Sequence, residues 1–330
     1  MPANVKPTEG RGNGGQGRPP HQTPALHMGS KRESCPTGRA GGVAAYNVCV
    51  DILGVIPARY ASTRFAGKPL ADIGGKTLIQ RVWERASACR ELSEVIVATD
   101  DERILKHVLG FGGRAVMTSG DHKSGTDRLG EVAEGDARDS YVNIQGDEPL
   151  LESQAIDMLV QRTLAAGAEM STLVSPFPAN EAAAERQDPN VVKVVRDLQG
   201  YALYFSRSAI PYPYHAKEAQ YLRHIGVYMY SRDTLLRLCS AAPSPLELAE
   251  SLEQLRALQT GVRIYTVDCD YTPLAVDTPA DIELVLRRLD AVERASPPAN
   301  NHLGSAGVPP AKDKMAGETP ALPIFPAGQA

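Results

Sequence analysis

Three cations stand at spacings of five and four in the stretch Arg59-Tyr60-Ala61-Ser62-Thr63-Arg64-Phe65-Ala66-Gly67-Lys68. Fixed positive charges at Arg59, Arg64 and Lys68, directly after an apolar run, suit a polyphosphate. A solvated surface loop accounts for the same spacing, because exposed cations need no ligand. The usual phosphate loops do not fit. Gly75-Lys76-Thr77 has the ending of a P-loop, but Leu70 stands where its first glycine is required. Gly110-Phe111-Gly112 lacks the later glycine of a dinucleotide fingerprint, since Ala115 fills that place.

Carboxylates recur at the ends of β-like runs. Gln145-Gly146-Asp147-Glu148-Pro149 holds Asp147 just past a glycine, where it could reach a bound cation or serve as a turn residue. Asp277, in Val276-Asp277-Thr278-Pro279, has a metal-ligand reading and a helix N-cap reading, and the spacing favours the cap. Asp100-Asp101 carries the same ambiguity and is read as capping. The segment Ser124-Gly125-Thr126-Asp127-Arg128 offers hydroxyls and backbone groups ahead of a helix, suited to a planar ligand or to a capped loop. His122, with no metal-binding neighbours, is read as structural. Further on, Arg207 suits a carboxylate, whereas His224, Tyr228, Glu253 and Gln254 suit hydroxyls. Taken singly, each of these also fits a packing role.

Positioning these groups requires a fold that gathers strand ends. β-branched runs alternate with amphipathic stretches, which predicts an α/β fold on a mainly parallel sheet. Strands are expected at Ile52–Ile56, Glu94–Thr99, Arg114–Met117 and Tyr141–Gln145. Helices are expected at Thr77–Ala88 and Glu102–Leu109, and from near Thr126 and Ser153. Closer-set strands at Val191–Val195, Tyr201–Ser206 and Leu222–Tyr230 suggest an antiparallel layer. One helix over Pro245–Gln259, a strand Val262–Val267 and a helix Thr278–Leu289 complete the order. Ligands in such sheets bind at the carboxyl ends of parallel strands.

The 330 residues are 42% hydrophobic, enough for a core, and carry a net charge of -4 with no basic stripe. Nucleic acid is therefore not an expected partner. Five cysteines without a C-x-x-C pair give neither a disulfide framework nor a zinc site. No apolar run approaches the ~20 residues that span a bilayer. A cytoplasmic chain with no membrane partner is expected. Residues 1–47 and 293–330 read as disordered low-complexity tails around a single domain at 48–292.

Ile56-Pro57-Ala58-Arg59, Ser62-Thr63-Arg64, Gly67-Lys68-Pro69-Leu70, Asp121-His122, Ser124-Gly125-Thr126-Asp127-Arg128 and Gln145-Gly146-Asp147-Glu148-Pro149 together resemble the 3-deoxy-D-manno-octulosonate cytidylyltransferase (CMP-Kdo synthetase) family. The likeness continues through Arg207, Arg223-His224, Pro243-Ser244-Pro245, Glu253-Gln254 and Asp277, covering residues 50–290. It implies a nucleotide-diphosphosugar-transferase-like fold, a mixed, mainly parallel sheet flanked by helices, with a smaller antiparallel sugar-binding and dimerisation layer. It implies a homodimer that turns CTP and Kdo into CMP-Kdo and diphosphate with Mg²⁺. Carried over by position, Arg59, Arg64 and Lys68 take the CTP phosphates and Ser124, Gly125, Thr126, Arg128 and Gln145 the nucleotide. Asp147 and Asp277 take the metal, with Asp147 also catalytic beside the three cations. Arg207, His224, Tyr228, Glu253 and Gln254 take the sugar acid. Ala66 departs from the proline common in the family, which loosens the loop without removing a ligand. Three rival readings remain: an enzyme for 8-amino-Kdo or a sialic acid, a nucleotide-sugar-consuming glycosyltransferase, and a non-catalytic nucleotide-binding module.

Overall fold

The computed structural model describes residues 50–61, 65–177, 182–215 and 220–295. The expected N-terminal tail, residues 296–330 of the expected C-terminal tail and Arg64 lie outside these residues, whereas 293–295, expected in that tail, continue the last helix. In chain order the elements are β1 (Ile52–Ala58), α1 (Leu78–Ser87), β2 (Glu94–Thr99), α2 (Glu102–Gly110), β3 (Arg114–Met117), α3 (Gly125–Gly135), β4 (Ser140–Asn143), α4 (Ser153–Ala166) and β5 (Met170–Pro176). There follow α5 (Ala182–Gln187), β6 (Lys193–Arg196), β7 (Ala202–Ser206), β8 (Leu222–Ser231), α6 (Arg232–Ser240), α7 (Pro245–Glu250), α8 (Gln254–Gln259), β9 (Ile264–Asp268) and α9 (Pro279–Ala295).

One mixed sheet runs β3-β2-β1-β4-β8-β5-β9. The β3-β2-β1-β4 half is wholly parallel, so the carboxyl ends of its strands share one edge. β8 then reverses direction against β4 and β5. Beyond its contact with β4, β8 pairs with β6, and β6 with β7, giving the expected antiparallel layer. A bridge from Tyr201 to Tyr265 returns this hairpin to β9, so that part of the sheet closes into a ring.

Alternation along β1 divides the core. Ile52 and Ile56 face a layer that includes α1, α2, α4 and α9, whereas Leu53 and Val55 face α3, α6 and α8. Both faces are covered, which is why β1 and β2 read as unbroken apolar runs. Caps set the helix starts as the sequence requires: Thr77 accepts from Gln80 N, Asp101 from Arg103 N, and Ser124 from Asp127 N. Among the described residues, no helix is long and apolar enough to cross a membrane.

Three expectations differ from the fold. The helix expected over Pro245–Gln259 is two, because Ser251 adopts a left-handed conformation (φ 52°) that ends α7. The strand expected to reach Gln145 stops at Asn143, freeing Gln145 to turn across the sheet. The sequence pattern announces neither β5 nor α6 as a distinct element: β5 buries Ser171, Thr172 and Ser175 among its apolar residues, which hides the strand pattern.

The turn after β4 lies hard against β1. A Cβ added to Gly146 would sit 3.0 Å from the carbonyl oxygen of Pro57, a backbone atom that cannot move away cheaply. Gly146→Ala is therefore expected to cost about 1–3 kcal/mol of stability by denaturant titration. Gly135→Ala, at the end of α3 where an added carbon meets nothing within 4 Å, serves as the control and should leave stability unchanged or slightly raised.

Candidate active site

The strand ends bring Arg59, Lys68, Asp147 and Asp277 to one edge. Lys68 follows Gly67, which takes φ +72° to start a 3-10 turn over Lys68–Leu70. Its ammonium donates to Asp147 Oδ2 at 2.9 Å and lies 3.4 Å from Asp277 Oδ1. The two aspartates come from distant segments that the backbone ties together, since Val276 N donates to the carbonyl of Asp147 at 2.9 Å. The N-cap reading of Asp277 passes to another residue. Asp281 Oδ2 accepts from Asp277 N, Thr278 N and the Thr278 hydroxyl at 2.7–3.0 Å, so the Asp277 carboxylate faces Lys68.

These three residues, with Arg59, Lys123, Ser124 and Gly146, line a cleft of about 340 Å³. A larger cleft of about 790 Å³ lies beside it. Gly125, Gln145 and Glu253 line both and form the shared wall. Gln145 is fixed there because its amide donates to Gly226 O at 2.8 Å. That carbonyl is available because the β4–β8 pairing ends at Asn143 and Tyr228, short of Gly226.

The larger cleft holds four of the five residues expected for the sugar acid. His224, half-buried on β8, shares a 3.1 Å hydrogen bond with the Thr172 hydroxyl and packs edge-on to Phe205. Burial pushes its imidazole down to about 3, so it is neutral at ordinary pH. Tyr228 stacks on Tyr230, and burial raises its hydroxyl well above the usual range. Glu253 and the buried Gln254 open α8 at the cleft. Desolvation raises the Glu253 carboxyl, against hydrogen bonds from Thr126 and Ser124.

Arg207 lies outside the lining of both clefts. Its guanidinium donates to the carbonyls of Glu250, Pro189 and Ser251 at 2.7, 2.8 and 3.3 Å, clamping the turn that leads into Glu253. Arg256, paired with Glu247, and Arg223 both line the larger cleft, and Arg223 is buried and paired with Glu185 of α5. Its only sequence signal is its place beside His224 on the same strand. Arg128 lines the smaller cleft, but its guanidinium is held by Thr118 and by Asp100 at 3.0 Å. Asp100 is thus an ion-pair partner and Asp101 alone caps α2. His122 is bound to Glu131, in keeping with a structural histidine, although it also borders the smaller cleft. Sequence reasoning passes over Glu148, which lines the larger cleft; burial, with the neighbouring Asp147 charge, pushes its carboxyl up to about 7.

Chemically, this is a site with a pocket lined by Arg59, Lys68 and Lys123, a pair of carboxylates meeting at Lys68, and an adjoining pocket where neutral His224 and Tyr228 stand beside paired arginines and carboxyl groups. A cytidylyltransferase family model matches residues 53–264. The 3-deoxy-manno-octulosonate cytidylyltransferase of Geobacter sulfurreducens is 48% identical over 252 residues, covering 73% of this chain and 100% of that protein. Its counterpart from Leptospira biflexa is 52% identical over 240 residues, covering 72% and 95%. The solved structure of CMP:2-keto-3-deoxy-manno-octonic acid synthetase complexed with CTP matches with a TM-score of 0.69 at 46% identity, covering 74% of this chain and 99% of that one.

The depressed imidazole of His224 gives the fold an acid sensitivity. Below the ordinary value of 6.5 the unfolded chain takes up a proton that the folded chain refuses down to about 3, so stability falls with pH across that window. The slope from this group is at most about 1.4 kcal/mol per pH unit. Stability measured from pH 7 to 4 should fall less steeply in His224→Gln than in the unaltered chain.

Proposed function

Since this chain belongs to the 3-deoxy-manno-octulosonate cytidylyltransferase family, we propose that it joins CTP to Kdo, giving CMP-Kdo and diphosphate for lipopolysaccharide synthesis. The observation that carries this reading is the shared wall: two clefts of different chemistry meet at Gly125, Gln145 and Glu253, beside the Lys68-Asp147-Asp277 group. The triphosphate belongs in the smaller cleft with Arg59, Lys68 and Lys123, and Arg64 joins them by family likeness. Ser124, Gly125, Thr126 and Gln145 receive the nucleoside. Arg128 acts by bracing that loop through Asp100 and Thr118.

The sugar acid belongs in the larger cleft. Neutral His224 and Tyr228 can bind hydroxyls without adding charge, and Glu253 and Gln254 supply further acceptors and donors. Of the two arginines that line it, Arg256 is engaged by Glu247 and by the carbonyls of Leu238 and Ala241, so Arg223, paired with Glu185, is the one assigned to the sugar's carboxylate. Arg207 supports sugar binding at one remove, through the turn it clamps.

The reaction brings two anions together. The anomeric hydroxyl oxygen bonds to the α-phosphorus while the bond from that phosphorus to the bridging oxygen of diphosphate breaks, so charge builds on the leaving oxygens. Arg59 and Lys68 oppose that charge from fixed positions, the electrostatic contribution that dominates such transfers. No protein nucleophile is required.

Asp147 and Asp277 fit a magnesium site, because their oxygens already converge on one cation, the Lys68 ammonium, and Mg²⁺ usually takes one or two protein carboxylates. When bound there, magnesium would screen the phosphates and lower the pKa of the attacking hydroxyl. Family likeness also supports a cytoplasmic homodimer, with residues 48–292 as the catalytic unit.

Release of diphosphate from CTP on adding Kdo tests this reading; free nucleotide as the product would indicate a glycosyltransferase, and preference for a sialic acid or 8-amino-Kdo a sister enzyme. Asp147→Asn keeps the size and turn propensity while removing the charge. It should lower kcat roughly 10²-fold or more, with stability changed by under about 1 kcal/mol. Near-normal turnover in that variant would refute the assignment.

A further inference from the structure

We propose that Tyr60 is a positioning residue that sets the separation of the triphosphate cations Arg59 and Lys68, and that Arg103 and Asp101 brace it from outside the cleft. The inference rests on the CTP reading above and adds residues that never touch the nucleotide.

Arg59 immediately precedes Tyr60, and Lys68 immediately follows Gly67. A single backbone hydrogen bond joins the inner pair, Gly67 N donating to Tyr60 O at 2.9 Å. This pinch closes the loop between the two cations and fixes how far apart their backbones stand. The Tyr60 ring reinforces it from the side. A Cβ at Gly67 would lie 3.1 Å from Cζ and from the hydroxyl oxygen of that ring, and φ at Gly67 is +72°, so glycine is required there on two counts.

The ring is held in turn. The Arg103 guanidinium lies over it, 3.3 Å from the centroid, a cation–π contact. Arg103 cannot swing freely, because its Nε and Nη2 donate to Asp101 at 2.9 and 2.6 Å. Asp101 is itself fixed as the cap of α2, accepting from Arg103 N at 2.9 Å. A chain of contacts therefore runs from a rigid helix start, through an arginine and an aromatic ring, to the glycine pinch between two ligand-binding cations. Groups on a short loop need such support, since a misplacement of about 1 Å can cost roughly 10²-fold in rate.

The test compares the full chain with Tyr60→Phe, Tyr60→Leu and Arg103→Met. It uses calorimetric CTP binding in magnesium buffer, Michaelis constants for both substrates, and thermal melts. Tyr60→Leu should weaken CTP binding roughly tenfold while the sugar constant stays within about twofold, because β8 and α8 do not depend on the pinch. Tyr60→Phe keeps the ring and should bind CTP within about twofold of the unaltered chain. Arg103→Met should show a smaller loss that does not add to that of Tyr60→Leu, as expected for links of one chain.

A Tyr60→Leu protein with normal CTP affinity, or with equal losses for both substrates, would overturn the proposal. So would a Tyr60→Phe protein as defective as Tyr60→Leu, since the hydroxyl would then be touching ligand. Should Tyr60→Leu fail to fold, unchanged CTP affinity in Arg103→Met would overturn it and a selective loss would support it. CTP binding without diphosphate release on adding Kdo would refute the sugar assignment while leaving these comparisons decisive; no CTP binding by the unaltered chain would overturn both.

Discussion

The Lys68 ammonium, set between the carboxylates of Asp147 and Asp277, is the contact on which the site's geometry turns. Its strength does not explain its precision, because partly exposed ion pairs contribute only about 0–1 kcal/mol. The backbone supplies the rest: Val276 N donates to Asp147 O, and Gly146 lets the turn after β4 rest against Pro57. One ammonium against two carboxylates leaves an excess of negative charge. On the proposed reading a magnesium ion would offset that excess, and Arg59 and Lys123, which line the same cleft, would face the phosphates.

Two anionic substrates must approach each other, and on the proposed reading the two clefts divide that labour. Strand ends of the parallel half carry the charged groups. The antiparallel half carries His224, kept uncharged by burial, and Tyr228, kept protonated, beside the Arg223–Glu185 ion pair. The halves are joined where the Gln145 amide meets the Gly226 carbonyl, just past the end of the β4–β8 pairing. Alterations at this contact should therefore disturb both substrates together.

Much of this arrangement is legible in the sequence, for physical reasons that also explain what is not. Strands β1 and β2 are covered by helices on both faces and so appear as apolar runs, while the shorter β4 stands out as an apolar run ahead of a glycine turn; these patterns alone place Arg59 and Asp147 at strand ends. Element β5 is obscured by hydroxyl residues satisfied only through distant partners, as when Thr172 bonds to the carbonyls of Ile225 and Val227. The break at Ser251 carries no glycine or proline to announce it. Arg207 and Arg223 show the limit for single residues. Both are arginines in the same part of the chain, and only the folded loops reveal that one is spent on three carbonyls while the other lines the cleft. Likewise, Asp277 resembles a cap because its neighbours are Thr and Pro; the capping carboxylate is Asp281, four residues on.

The central claim is that Asp147 and Asp277 work as one unit. Diphosphate release by Asp147→Asn, Asp277→Asn and the double variant measures this directly. If both carboxylates serve one cation, each single change should cost roughly 10²-fold in kcat, and the double change should be within about tenfold of the worse single one. Losses that multiply, or an Asp277→Asn protein with normal turnover, would contradict the account.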